Sequence, residues 1–129
     1  MTKAEALYNF WSGFGLLTYD ENAVPTGDEA PAFPYLTYQL VTDSYDHPVT
    51  MTASIWDRDA DDYSANAENN ARADSMSRYI GMGGSIVPFD GGAIWITRGH
   101  PFAQSLGDPS DNKIKRKLIN ITAEFISNN

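Results

Sequence analysis

Apolar residues recur with two different periods along the chain, and those periods predict its elements. Over Thr2–Phe14, Leu7, Phe10, Trp11 and Phe14 fall at i, i+3, i+4 and i+7, the stripe of an amphipathic helix. Thr2 followed by Glu5 has capping-box spacing at its start, and Gly13 and Gly15 end it. Leu16–Tyr19 reads as a short strand or a tail to this helix. Tyr35–Val41 (YLTYQLV) has strand composition. Val49–Trp56 (VTMTASIW) alternates, with Val49, Met51, Ala53 and Ile55 on one face and Thr50, Thr52, Ser54 and Trp56 on the other. The turn residues DSYDHP between these two runs predict a looped β-hairpin. Asp61–Gly81 has no β-branched residue before Ile80 and reads as a helix burying Ala73, Met76 and Ile80. Its apolar face is thin, because Asn69 and Asn70 stand where Leu would be expected. Ser85–Phe89 and Ala93–Arg98 flank Asp90-Gly91-Gly92, a hairpin signal, and Pro88 places the first of these strands at a sheet edge or at its own end. Gly99–Asn112 reads as a loop. Lys115–Ser127 alternates again, with Lys117, Ile119, Ile121, Ala123 and Phe125 on one face, although a helix from Ala123 onward fits as well.

These elements predict a single α+β domain over residues 1–129: an antiparallel sheet of about four to five strands with two helices packed on one face. The other face carries Thr, Ser, Gln, Asn and Trp. Asp20–Pro34 holds three prolines, Gly27 and four acids, which predicts a long surface loop of the kind that serves as an interface arm, or a disordered stretch.

Composition narrows the function classes. The chain is 42% hydrophobic and 12% aromatic, enough for a core. It contains no apolar run near the roughly 20 residues of a membrane helix, and the N-terminus lacks the pattern of a signal peptide. With no cysteine, disulfides, thiolate metal sites and cysteine nucleophiles are excluded. A net charge of −8 argues against nucleic-acid binding through phosphate neutralisation. Lys113, Lys115, Arg116 and Lys117 are an exception, a basic patch that reads as a solvated strand start keeping a sheet edge soluble.

The window Asp57–Glu68, DRDADDYSANAE, raises calcium. Asp57, Asp59, Asp61 and Glu68 have the spacing of a calcium loop. The glycine such a loop needs at its sixth position is Asp62 here, its hydrophobic eighth position is Ser64, and a strand rather than a helix precedes it. The competing account is that these acids cap and complement a helix N-terminus. His47 and His100 have no local metal spacing, and no nucleophile elbow or phosphate loop is present. No cofactor is called for, and the chemistry points to a non-enzyme. Trp56 and Trp95 lie opposite the apolar faces of their strands, as interface aromatics do.

The phrases FPYLTYQLVTD, VTMTASIWDRD, SRYIG, DGGAIWITRGHPFAQ and KRKLINITAEFIS together resemble the tail-terminator or tail-completion proteins of long-tailed bacteriophages and prophages of Gram-positive hosts, over about Pro34–Phe125. The resemblance implies a structural virion protein, made in the host cytoplasm and placed at the head-proximal end of the tail. Such a protein forms a homo-oligomeric ring, a hexamer, that caps the tail tube and stops its polymerisation. It joins the tube to the neck, DNA passes through the channel without tight binding, and Lys113, Lys115, Arg116 and Lys117, with Arg98, would then meet an acidic neighbour in the tube or neck. A head-completion or neck connector protein of the same joint is the near alternative, and a calcium-dependent binding module is the alternative from another class.

Overall fold

The computed structural model describes residues 1–42 and 47–127. In chain order the elements are α1 (Lys3–Ser12), β1 (Leu17–Asp20), β2 (Tyr35–Tyr38), β3 (Val49–Arg58), α2 (Ala65–Ile80), β4 (Ser85–Phe89), β5 (Gly92–Gly107) and β6 (Ile114–Ser127), with a 3-10 turn at Gly27–Glu29. The predicted capping box forms at α1. Thr2 Oγ1 accepts from the Glu5 N–H at 3.1 Å and Glu5 Oε1 accepts from the Thr2 N–H at 3.2 Å. Two otherwise orphaned donors of the first turn are thereby satisfied.

The sheet corrects the expectation of four to five antiparallel strands. It has six, ordered β1-β2-β3-β6-β5-β4, and it is mixed and curled. β1 runs parallel to β2, from Leu17 opposite Tyr35 to Asp20 opposite Tyr38, while the other pairs are antiparallel. The composition remains α+β. β4, with Pro88, lies at an edge, where a missing N–H costs no ladder bond. The turn DSYDHP lies largely outside the described residues, at 43–46, although β2 and β3 do pair antiparallel.

The second correction concerns β5. The strand continues to Gly107 through residues that read as a loop. Between Arg98, opposite Ile121, and Ala103, opposite Ile119, its register shifts, so the period-two pattern is broken although pairing resumes. Gly99 sits where a Cβ would lie 2.8 Å from the Asn120 carbonyl oxygen, a reason for glycine that composition alone does not reveal.

One apolar cluster joins α1, α2 and one face of the sheet. Leu7, Phe10 and Trp11 of α1 and Met76 and Ile80 of α2 meet Leu36, Met51, Ile55, Ile94, Ile96, Ile119, Ile121 and Phe125. Residues of the intervening strand positions point the other way.

Candidate functional site

The acidic run is built into the fold. Asp57, at the end of β3, is buried, accepts from Arg72 Nη1 at 2.8 Å and takes the Arg58 N–H at 2.8 Å. Buried Asp59 accepts from the Ala65 N–H at 3.1 Å, at the first residue of α2, and its other oxygen lies 3.8 Å from Lys115 Nζ. Glu68 pairs with Arg72 at 3.4 Å, and Asp61 is exposed. Buried Asn69, which had looked like a weakness of the α2 face, donates to the backbone oxygens of Lys115 (3.2 Å) and Ile55 (3.5 Å) and accepts from Arg72 at 2.8 Å. Asp57, Asp59, Asn69 and Arg72 therefore lock α2 against β3 and β6. Among the described residues, no group of three His, Cys, Asp or Glu side chains is placed to hold a metal ion.

The basic patch does not border a sheet edge. β6 is an inner strand, so Lys115, Arg116 and Lys117 sit between β3 and β5, with Lys113 exposed in the turn before them. Alternation sends them to opposite faces. On the helix side, Lys115 Nζ donates to the Asn112 carbonyl at 2.8 Å and Lys117 Nζ to Asn70 Oδ1 at 2.6 Å and Ser105 Oγ at 2.9 Å. Arg98, also on the helix side, donates to Ser77 Oγ of α2 at 3.0 Å. The five basic candidates therefore do not form one surface.

Arg116 turns to the open face and completes a row across the sheet. Register places Leu17, Tyr35, Trp56, Arg116 and Leu106 side by side on β1, β2, β3, β6 and β5. Phe33 lies against Tyr35 with ring centroids 5.4 Å apart, and Tyr35 stacks on Trp56 at 6.3 Å and 18°. The Arg116 guanidinium sits 4.8 Å above the Trp56 ring. Two buried hydroxyls hold this row. Trp56 Nε1 donates to Thr37 Oγ1 at 3.0 Å, and Arg116 Nε donates to Ser54 Oγ at 2.9 Å. Burial raises the Tyr35 hydroxyl above its ordinary range. Trp56 and Arg116 were legible as candidates in the sequence. Tyr35, Thr37 and Ser54 were not, because cross-strand register carries the row and no linear spacing encodes it.

Trp95 belongs to a second open-face patch at the β4 end. Its indole N–H donates to the Gly83 carbonyl at 2.9 Å, exposed Ile86 stands directly opposite it on β4 and Glu124 on β6, and exposed Ile126 lies two residues further along β6. A depression of about 510 Å³ between the end of α1 and α2 is lined by Phe14, Met76 and Tyr79. Its one cation, Arg72, is already committed to Asp57 and Glu68. His47 and exposed His100 lie on separate segments, outside both open-face clusters. No described helix is long and apolar enough to cross a membrane. No protein-family model matches this chain, and comparison with curated proteins gives no match.

Proposed function

We propose that this protein is a structural assembly protein of the phage tail, a tail terminator that forms a ring on the head-proximal end of the tail tube, ends its growth and joins it to the neck. The observation that carries the reading is the asymmetry of the open sheet. The sheet has two unlike edges. At the β1 end lie Leu17, Phe33 and the acidic loop of residues 20–34. At the β4 end lie exposed Ile86, Trp95, Ile126 and Met82. A closed ring needs head-to-tail contact between two different surfaces of each subunit, and a sheet with unlike ends supplies them. Exposed aromatic and long aliphatic side chains gathered on one face are what such contacts use. The acidic balance suits a channel that DNA crosses without sticking.

The test is mass by light scattering, with negative-stain imaging, in the presence and absence of purified tail tubes. A ring, or a subunit that caps tube ends and halts their growth, is the expected result. A monomer indifferent to tubes contradicts it. The same reading in a neck connector predicts binding to the head-side joint and none to tube ends.

A further inference from the structure

We infer that Arg116 is a preformed carboxylate receptor and that its occupant is the acidic loop, through Asp28 or Glu29, of a second copy of this chain. The choice of a second copy rests on the ring reading above.

The guanidinium is fixed before any partner arrives. Ser54 Oγ, on a buried residue, takes its Nε–H at 2.9 Å, and the Trp56 ring lies 4.8 Å beneath it. Trp56 is itself held by Thr37 and by stacking on Tyr35. Among the described residues, the terminal nitrogens of Arg116 make no hydrogen bond and no ion pair. A planar guanidinium with a free terminal fork matches the two oxygens of a carboxylate, and prior immobilisation lowers the entropy lost on pairing. Arg78 and Arg98 likewise lack a carboxylate partner among the described residues, each donating to a serine hydroxyl; what distinguishes Arg116 is that its guanidinium is both hydrogen-bonded to a buried residue and stacked on an aromatic ring of the open face.

The same chain carries the complementary element. Residues 20–34 contain Asp20, Glu21, Asp28 and Glu29 and no Lys or Arg. Asp28 and Glu29 project from the exposed 3-10 turn Gly27–Glu29, and their carboxylates meet no partner among the described residues. Receptor and loop are different surfaces, and on the ring reading the loop of each copy meets the receptor of the next, head-to-tail. Long-range repulsion between two copies of charge −8 is screened beyond roughly 8 Å at physiological salt, whereas a pair in contact is screened much less.

Two arms test the inference. In the first, a peptide of residues 20–34 is titrated against the full chain, with tryptophan emission as the readout through Trp56. Saturable change is expected, weakened roughly 10- to 100-fold in Arg116→Gln, the range for a lost charge-assisted hydrogen bond. A peptide carrying Asp28→Asn and Glu29→Gln should lose it equally, and Trp56→Phe should remove the signal. In the second arm, full-length Arg116→Gln and full-length Asp28→Asn/Glu29→Gln are each expected to be monomeric under conditions where the wild type associates. Their equimolar mixture should give a dimer and nothing larger, because each copy keeps one good surface. The loop variant lies on an exposed turn, so its loss of association cannot come from a disturbed sheet. No peptide binding, equal binding to Arg116→Gln, or single variants that keep the wild-type mass would overturn the inference. Peptide binding that depends on Arg116, from a chain that neither associates nor caps tubes, would sustain the receptor but overturn the second copy as its occupant, and the ring reading with it.

Discussion

The two faces of the sheet are built from different chemistry on the same strands. On β3, Met51, Ala53 and Ile55 are buried beneath the helices, while Thr52 and Trp56 are half-buried on the other side. On β6, Ile119, Ile121 and Ala123 are fully buried, and Leu118, Asn120 and Thr122 are not. The covered face is largely apolar, with Phe10, Trp11 and Phe125 among its aliphatic residues, and it closes within the chain except at the Trp11 indole N–H, which has no acceptor among the described residues. The open face combines stacked aromatics, hydroxyls and a guanidinium that has no carboxylate partner, with Glu124 standing apart beside Trp95. Burying aliphatic area is what makes the subunit fold, whereas a rigid, partly desolvated aromatic and arginine row is what makes an association surface. On the proposed reading, stability and assembly are separable by substitution, one residue apart on one strand.

The largest effect expected from breaking this contrast is on the covered face. Ile121→Ala should cost about 2–5 kcal/mol in urea unfolding, since it removes a fully buried side chain, whereas its open-face neighbour Thr122→Ala should stay within about 0.5 kcal/mol. Equal losses at both positions would erase the distinction. Next is the lock of α2. Asp57→Ala leaves Arg72 without its 2.8 Å partner and should cost about 2 kcal/mol, less than a fully buried pair because Arg72 is partly exposed; chemical denaturation measures it. Trp56→Ala should lower stability by about 1–2 kcal/mol, as burial of only part of the ring implies, yet abolish association. Unfolding curves and scattering on the same sample separate the two effects. Asp59→Ala removes the acceptor of the Ala65 N–H and should cost about 1 kcal/mol, read as a lower melting temperature.

The smallest effect sharpens the comparison at the helix start. Glu5 is held below its ordinary value, first by its hydrogen bond with the Thr2 backbone and then by the Thr2 side chain. A carboxylate whose folded pKa is depressed adds stability that is present above its unfolded value and is lost as pH falls through the folded one. Wild type should therefore lose slightly more melting temperature than Glu5→Gln on acidification through that window. Parallel pH profiles would remove the charge of Glu5 from the account of the cap.

Much of the covered face was legible because alternation and helical spacing are local. Thr2 and Glu5 marked a cap that forms, Pro88 marked an edge strand that is one, and the alternation in β3 and β6 named the buried residues. What escaped depends on pairing. Parallel β1 was not recognised because no crossover helix separates it from β2, only the acidic loop. The far half of β5 read as a loop because the register shift after Arg98 breaks the period. Asn69 read as a flaw because its backbone partners, Lys115 and Ile55, are distant in sequence. The open-face row was half legible, its two large side chains visible and their supports, Thr37 and Ser54, hidden among ordinary strand residues.

The most direct measurement of the central claim is co-sedimentation of the chain with purified tail tubes, followed by imaging of the tube ends, for wild type and Trp56→Ala side by side. The account predicts that folded wild-type protein caps one end of each tube and arrests its growth, while Trp56→Ala, still folded, leaves tube ends bare. Tubes that keep growing in the presence of the wild type, or that Trp56→Ala caps equally well, would contradict it.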